Sequence, residues 1–345
     1  MIPIPKVEEL IVNGHSFIVG PLAFRGRYGA LDGRIALVAG ATRGAGRGIA
    51  VALGEQGATV YCSGRSVRGN LASGPERPET IDETAELVTA AGGQGIAVRC
   101  DHTADDQVRS LIDRIRTDHG RLDVLVNDVW GGDALTEFGK TFWQVEVSNG
   151  RKMLDQAIWS HILTSHHAAP LMFDRAGHGT ALIVEITDGD SYGYRGNIFY
   201  DLVKSTVIRL AFIQARELRK QDVAAVAVTP GFLRSEFMLE HFGVTKDTWR
   251  DGATKDPHFL ASESPLYVGR GVAALAADPN VKAKSGKVFA SWTLAATYGF
   301  TDADGSRPDW GAHFEKAFGA RYRTFDDDLY AAFAGPGEAV FADWP

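Results

Sequence analysis

Tyr200 and Lys204 stand four residues apart in the strongly periodic stretch 198–220, so a helix there carries both side chains on one face. A phenol beside an ammonium is an acid–base group. Free tyrosine titrates at about pH 10, too high for neutral solution, and a neighbouring lysine favours the phenolate and lowers that value. Such a pair suits proton transfer to a carbonyl oxygen. A second cluster, Gly40-Ala41-Thr42-Arg43-Gly44-Ala45-Gly46, follows the apolar run Ile35-Ala36-Leu37-Val38-Ala39 and precedes a predicted helix from about Arg47 to Gln56. Strand, glycine turn and helix let backbone N–H groups face a phosphate, which a Cβ in the turn would hold away. Arg43 lies inside that turn and Arg65 directly follows the next strand. No Asp or Glu falls between Val60 and Asn70 to bind ribose hydroxyls, so the pair favours a 2′-phosphate, that of NADP(H) over NAD(H).

The elements that must position these residues alternate along the chain. Strands are predicted at Ala58–Ser63, Gly95–Asp101, Leu122–Asn127, Thr180–Ile186, Val223–Val228 and Gly286–Ala290, besides the first at Ile35–Ala39. Helices are predicted at Ile81–Ala91, Asp105–His119, Leu154–Met172, Ile198–Lys220 and Val268–Ala277. Short alternation of this kind implies an α/β fold, a doubly wound parallel sheet with helices on both faces. The loop 66–80 is longer than such connections need. Residues 1–30 read as an N-terminal extension, with a hairpin across Leu10–Gly20 around Asn13-Gly14. The main domain spans 31–300. A C-terminal extension covers 301–345, and the aromatic, acidic text from Thr293 onward suits a lid, an oligomer contact or a loosely packed tail.

Among 345 residues, 45% are hydrophobic and 23% charged, and the net charge is -7. That balance argues against nucleic acid or an anionic membrane as a partner. The longest apolar runs fall short of a membrane span. Prolines and paired glutamates at the N-terminus stand where a signal peptide needs basic and then apolar residues, which points to the cytoplasm. Cys62 and Cys100 fall in or beside predicted strands and read as buried thiols. His161, His166 and His167 share a helix without a matching cysteine or carboxylate, so no metal site is expected. Trp130, directly after Asn127, reads equally well as pocket wall or core.

Taken in order, these motifs resemble the short-chain dehydrogenase/reductase family over about residues 31–300. Gly40-x-x-x-Gly44-x-Gly46 is similar to its TGxxxGxG turn, with Ala39 in place of threonine. Val126-Asn127-Asp128-Val129-Trp130-Gly131-Gly132 is similar to its VNNAG segment, altered in the middle. Tyr200-x-x-x-Lys204 matches YxxxK, and Pro230-Gly231 follows the sixth strand. The 66–80 loop, Phe142-Trp143 and the stretch 285–305 resemble the branch typified by dehydrogenase/reductase member 1. The resemblance implies a Rossmann-type sheet and hydride transfer between a nicotinamide and a carbonyl or alcohol substrate. It places Gly40, Thr42, Arg43, Gly44, Gly46, Arg65, Pro230, Tyr200 and Lys204 at the cofactor. It further implies that Asp101 holds the adenine, that Asn127 lines the cleft and that Ser235 lies near the carboxamide. Homodimers or homotetramers are usual in the family.

Two positions depart from the family pattern. Where it carries a serine after the fifth strand, this chain reads Ile186-Thr187-Asp188-Gly189, with Asp188 in the serine position and Thr187 one residue before. A carboxylate facing the phenol would raise its pKa and oppose the lysine. A protonated Asp188 would instead donate to a carbonyl, or a one-residue shift would bring in Thr187; Asp188 also suits a cationic or hydroxyl-bearing substrate. The family's relay asparagine is replaced by Ala157, with Ser160 one turn later. Asp188 therefore joins Tyr200 and Lys204 as a candidate catalytic residue. The alternative is a dinucleotide-binding protein with little turnover, acting as a sensor or assembly partner.

Overall fold

The computed structural model describes residues 8–12, 15–19 and 29–318, apart from 75, 174, 176 and 191–193. Strands β1 (Glu8–Val12) and β2 (His15–Val19) pair antiparallel with Val12 opposite His15, the pairing that a turn at Asn13-Gly14 dictates; those two residues lie outside the described ones. Seven further strands form one all-parallel sheet: β3 (Ile35–Ala39), β4 (Thr59–Gly64), β5 (Gln94–Arg99), β6 (Val124–Asn127), β7 (Ala181–Ile186), β8 (Val223–Thr229) and β9 (Val288–Ala290). Their spatial order is β5-β4-β3-β6-β7-β8-β9. The chain reverses its winding between β3 and β6, and ligands bind doubly wound sheets at that crevice.

Helices cover both faces: α1 (Gly44–Glu55), α2 (Ile81–Ala90), α3 (Asp105–His119), α4 (Val147–Leu154), α5 (Ser160–Ala168), α6 (Ile198–Glu217), α7 (Glu236–Phe242), α8 (Pro265–Ala277), α9 (Ser291–Tyr298) and α10 (Trp310–Phe318). Alternate strand residues enter two cores, as the strand period of two requires. Ala36, Val38, Val60 and Cys62 pack with Ile49, Val88 and Val272 from α1, α2 and α8. Ile35, Leu37 and Tyr61 pack with Leu111, Ile115 and Leu163 from α3 and α5. Both cysteines are free and buried, and burial pushes each thiol up to about 12, so neither is a thiolate at neutral pH.

The helix expected at Leu154–Met172 begins two turns earlier. Ser148, Asn149 and Gly150 are weak helix formers, which hid its start. Glu146 caps it by accepting from the Ser148 amide at 3.1 Å. Gly150 is tolerated there because the Phe199 ring lies 2.3 Å from where a Cβ would stand. A π-helical turn, Asp155–Trp159, separates α4 from α5. The tail described as far as Phe318 is packed: Phe300 is buried edge-on to Tyr267 at 5.2 Å, and Asp302 pairs with Arg234 at 2.9 Å. Residues 319–345 lie outside the described residues. Among the described residues no helix is long and apolar enough to cross a membrane.

Helices α1 and α8 meet backbone to backbone. A Cβ on Gly48 would lie 2.1 Å from the Pro265 carbonyl oxygen, and one on Gly269 would lie 2.4 Å from that of Gly48. Gly269→Ala should therefore force the helices apart and cost about 2 kcal/mol or more, read as a lowered denaturant midpoint. An unchanged midpoint would show that the helices part freely here.

Candidate active site

Every strand that borders the crevice delivers a candidate residue from its C-terminal end. After β3 the chain turns through Gly40, whose Cβ would collide with the Asp128 carbonyl oxygen at 2.4 Å. Thr42 and Arg43 follow, the Thr42 carbonyl accepting from Arg47 Nε at 3.1 Å. Gly44 takes a positive φ of +57°, and a Cβ there would meet nothing nearer than Ser235 at 3.8 Å. Gly46 has no such room: its Cβ would lie 2.3 Å from the Gly40 carbonyl oxygen. The Gly44 amide at the N-terminus of α1, backed by a tight turn, is a donor that a dinucleotide's pyrophosphate would fit, and Glu236 Oε2 accepts from it at 2.8 Å. Arg65 leaves β4 toward Gly131, its Nη2 3.8 Å from where a Gly131 Cβ would stand. Asp101 follows β5; burial pushes its carboxyl up, but the Thr103 hydroxyl and amide and the charge of Arg65 leave it below its ordinary range.

At the other end of the crevice, the Asn197 side chain caps α6 by accepting from the Phe199 and Tyr200 amides at 2.9 and 3.1 Å. That fixes the helix face bearing Tyr200 and Lys204. The Tyr200 hydroxyl donates to Asp188 Oδ2 at 2.8 Å. Thr187 is used otherwise, its hydroxyl donating to the Lys204 carbonyl at 2.7 Å. Of the two candidates after β7, Asp188 faces the phenol. Lys204 Nζ lies 4.4 Å from the centre of the Trp130 ring, which stands edge-on to Tyr200 at 5.4 Å. Trp130 is partly buried against the cluster of Met153, Ala157, Val203 and Val207, and its indole N–H donates to Asp133 at 2.7 Å.

The electrostatics differ from the sequence expectation. Burial pushes the Tyr200 phenol well above its ordinary value, and Asp188 adds to the rise by its charge and by accepting the proton. Burial also lowers the Lys204 ammonium, against the pull of Asp188, Asp128 and Asp133. The lysine alone therefore does not bring tyrosine into the neutral range. Asp128, buried beside this group, is pushed up to about 7 by burial, with Lys204 opposing.

A family model described as short chain dehydrogenase matches residues 34–242. The mouse protein named dehydrogenase/reductase SDR family member 1 is 37% identical over 280 residues, covering 80% of this chain and 85% of its own length. The chain belongs to the short-chain dehydrogenase family. The 3-oxoacyl-[acyl-carrier-protein] reductase FabG of Staphylococcus aureus is 30% identical over 68% of this chain and 92% of its own. A short-chain type dehydrogenase/reductase from Mycobacterium marinum superposes with a TM-score of 0.61 at 22% identity, covering 75% of this chain and 94% of that one, a likeness of fold.

In this short-chain dehydrogenase, the expected cleft residue Asn127 rests on several residues that carry no sequence signal of their own. Asn127 is fully buried and donates to Ser165 at 2.9 Å and to Glu185 at 2.9 Å, while its own carbonyl oxygen has no partner. Glu185 also accepts from Gln214 at 2.8 Å and faces His161 Nδ1 at 2.8 Å. His161 Nε2 lies 3.1 Å from the Val129 carbonyl, which can only accept, so that nitrogen carries a hydrogen. This network clamps the segment 127–130 from below. The one clue was Glu185 itself, a charge inside the apolar run TALIVEI that must find partners. Arg195 is a second such residue: its Nε donates to the Asp188 carbonyl at 2.5 Å and its Nη1 reaches Asp201 at 3.3 Å, holding the Asp188 loop to α6. Pro230 accepts from Thr229 through its carbonyl at 2.8 Å, and Ser235 caps α7 while lying against Gly44. Among the described residues no three His, Cys, Asp or Glu side chains form a group that could hold a metal ion.

Proposed function

We propose that this short-chain dehydrogenase is an NADP(H)-dependent oxidoreductase acting on a small-molecule carbonyl or alcohol, with Tyr200 as its acid–base group. The observation that carries the reading is the Tyr200–Asp188 hydrogen bond beside Lys204 at the end of the crevice. The nicotinamide, when bound, gives or takes hydride at the substrate carbon. In the oxidative direction Tyr200 Oη receives the alcohol proton as its own proton passes along the 2.8 Å bond to the Asp188 carboxylate. Neither residue then has to exist as a free phenolate beside a carboxylate, which the raised tyrosine value makes costly. Reduction runs the same transfer backward, with Asp188 giving its proton to Tyr200. Lys204 supplies positive charge at the oxygen that becomes alkoxide-like.

NADP(H) is preferred on this reading because Arg43 lies in the glycine turn, Arg65 directly follows β4, and no strand-end acid follows β4. Exposed Trp159, Ile162, Leu202 and Ile213 around α5 and α6 support a homodimer or homotetramer, and the net charge of -7 suits the cytoplasm. The test is titration with NADPH and NADH, with turnover on a carbonyl panel. NADPH should bind more tightly, and Arg65→Ala should weaken NADPH by about tenfold while leaving NADH nearly unchanged. Equal loss for both would sink the phosphate assignment. The second reading, a dinucleotide-binding protein with little turnover, is favoured by the rise in Tyr200's pKa alone; tight NADPH binding without turnover on any carbonyl would select it.

A further inference from the structure

The crevice already holds two carboxylates at the points where phosphates would sit. Glu236, the first residue of α7, accepts from the Gly44 amide through Oε2 at 2.8 Å, and its Oε1 lies 3.8 Å from Arg47. It comes from 192 residues away in sequence to sit on the N-terminus of α1. Glu79, at the end of the long 66–80 loop, lies 3.4 Å from Arg43 Nε. That pair is out of hydrogen-bond alignment, and both atoms are buried without a hydrogen-bonding partner. The loop is tied to α7: Arg77 pairs with Glu240 at 2.7 Å and its guanidinium covers the Phe237 ring at 5.3 Å. Lys246, at the surface, adds a further positive charge within range of Glu236.

We infer that Glu236 and Glu79 compete with the cofactor's pyrophosphate and 2′-phosphate for the same donors, and that Glu79 thereby sets part of the discrimination between NADPH and NADH. The inference rests on the dinucleotide reading given above. Its physical basis is charge balance. Withdrawing Glu236 leaves the Gly44 amide at the start of α1 without its anion, while Arg47 keeps Glu83 at 2.8 Å, and withdrawing Glu79 leaves the half-buried Arg43 without its carboxylate. Withdrawal is therefore favourable only as another anion arrives. Two phosphates replace two carboxylates at the same donors, and α7 with the 66–80 loop is released from the glycine turn. NADH carries the pyrophosphate but no 2′-phosphate, so it replaces Glu236 and leaves Glu79 on Arg43. The absence of an acid after β4 is thus partly offset by an acid brought from the loop, which the local sequence around Arg65 does not contain.

The test compares wild type, Glu236→Gln and Glu79→Gln by calorimetric titration with NADPH and NADH, each protein's melting temperature being measured alongside. Glutamine keeps the shape and removes the charge, so folding is retained; Glu236→Ala repeats the measurement without the amide. Glu236→Gln should tighten both cofactors about fivefold, since the competing anion at the helix terminus is gone. Glu79→Gln should tighten NADPH about fivefold and leave NADH within about twofold. Weaker binding of either cofactor by Glu236→Gln, or of NADH by Glu79→Gln, overturns the inference, because the carboxylate would then be a ligand and not a competitor. Unchanged affinities overturn it while leaving the dinucleotide reading intact. Failure of all three proteins to bind either cofactor overturns both.

Discussion

Tyr200→Phe is expected to lower kcat by about 10³-fold or more while leaving NADPH affinity within about twofold of wild type. The substitution removes one atom from a packed position. The phenyl ring keeps its edge contacts to Trp130 at 5.4 Å and Phe138 at 5.6 Å, so the local ring packing survives. Only the hydroxyl that donates to Asp188 is lost. A loss confined to kcat is the signature of a group that acts in the transition state and contributes little to ground-state binding. Steady-state kinetics on whichever carbonyl is turned over, paired with a cofactor titration, separate the two effects. A variant retaining a tenth of wild-type turnover would remove tyrosine from the chemistry. A large loss of NADPH binding would mean that the hydroxyl serves the cofactor.

The strands were legible because a parallel sheet covered on both faces needs uninterrupted apolar runs, and IALVA and TALIVEI supply them. Tyr200 and Lys204 were legible because their relation is local, set by one helical turn. The choice between Thr187 and Asp188 was not. It depends on which side chain leaves the end of β7 toward α6, and the Lys204 carbonyl takes the threonine hydroxyl. The start of α4 was hidden by Ser148, Asn149 and Gly150, whose weak propensity is overridden by packing against Phe199. Glu236 and Glu79 were silent for a different reason. Each becomes part of the crevice only when a remote segment docks on the glycine turn. The expected lowering of tyrosine's pKa failed on the same ground: burial of the phenol and the facing carboxylate outweigh a lysine that is itself buried.

Asp188→Asn separates a proton holder from an obstacle. As a holder, Asp188 takes the tyrosine proton during alcohol oxidation, and an amide cannot. The variant should lose about 10²-fold in oxidation rate at neutral pH. Its pH dependence should also change, with a sign that follows from the site. In wild type, burial first and then the carboxylate keep the phenol well above its ordinary range, so phenolate chemistry is closed at all ordinary pH values. Removing the negative charge lets the phenol titrate at lower pH. Burial still holds the phenol up, so the variant's route through free phenolate opens only in alkaline solution, where its oxidation rate should climb with pH. Wild type should show no such climb. If Asp188 were only an obstacle to a lysine-assisted tyrosine, the same substitution would raise the rate at neutral pH, and Asp188→Ser would raise it too. Rate against pH for the three proteins, at saturating cofactor and alcohol, distinguishes these outcomes. Higher neutral activity in Asp188→Asn would discard the transfer along the 2.8 Å bond and return the proton to Tyr200 and Lys204 alone.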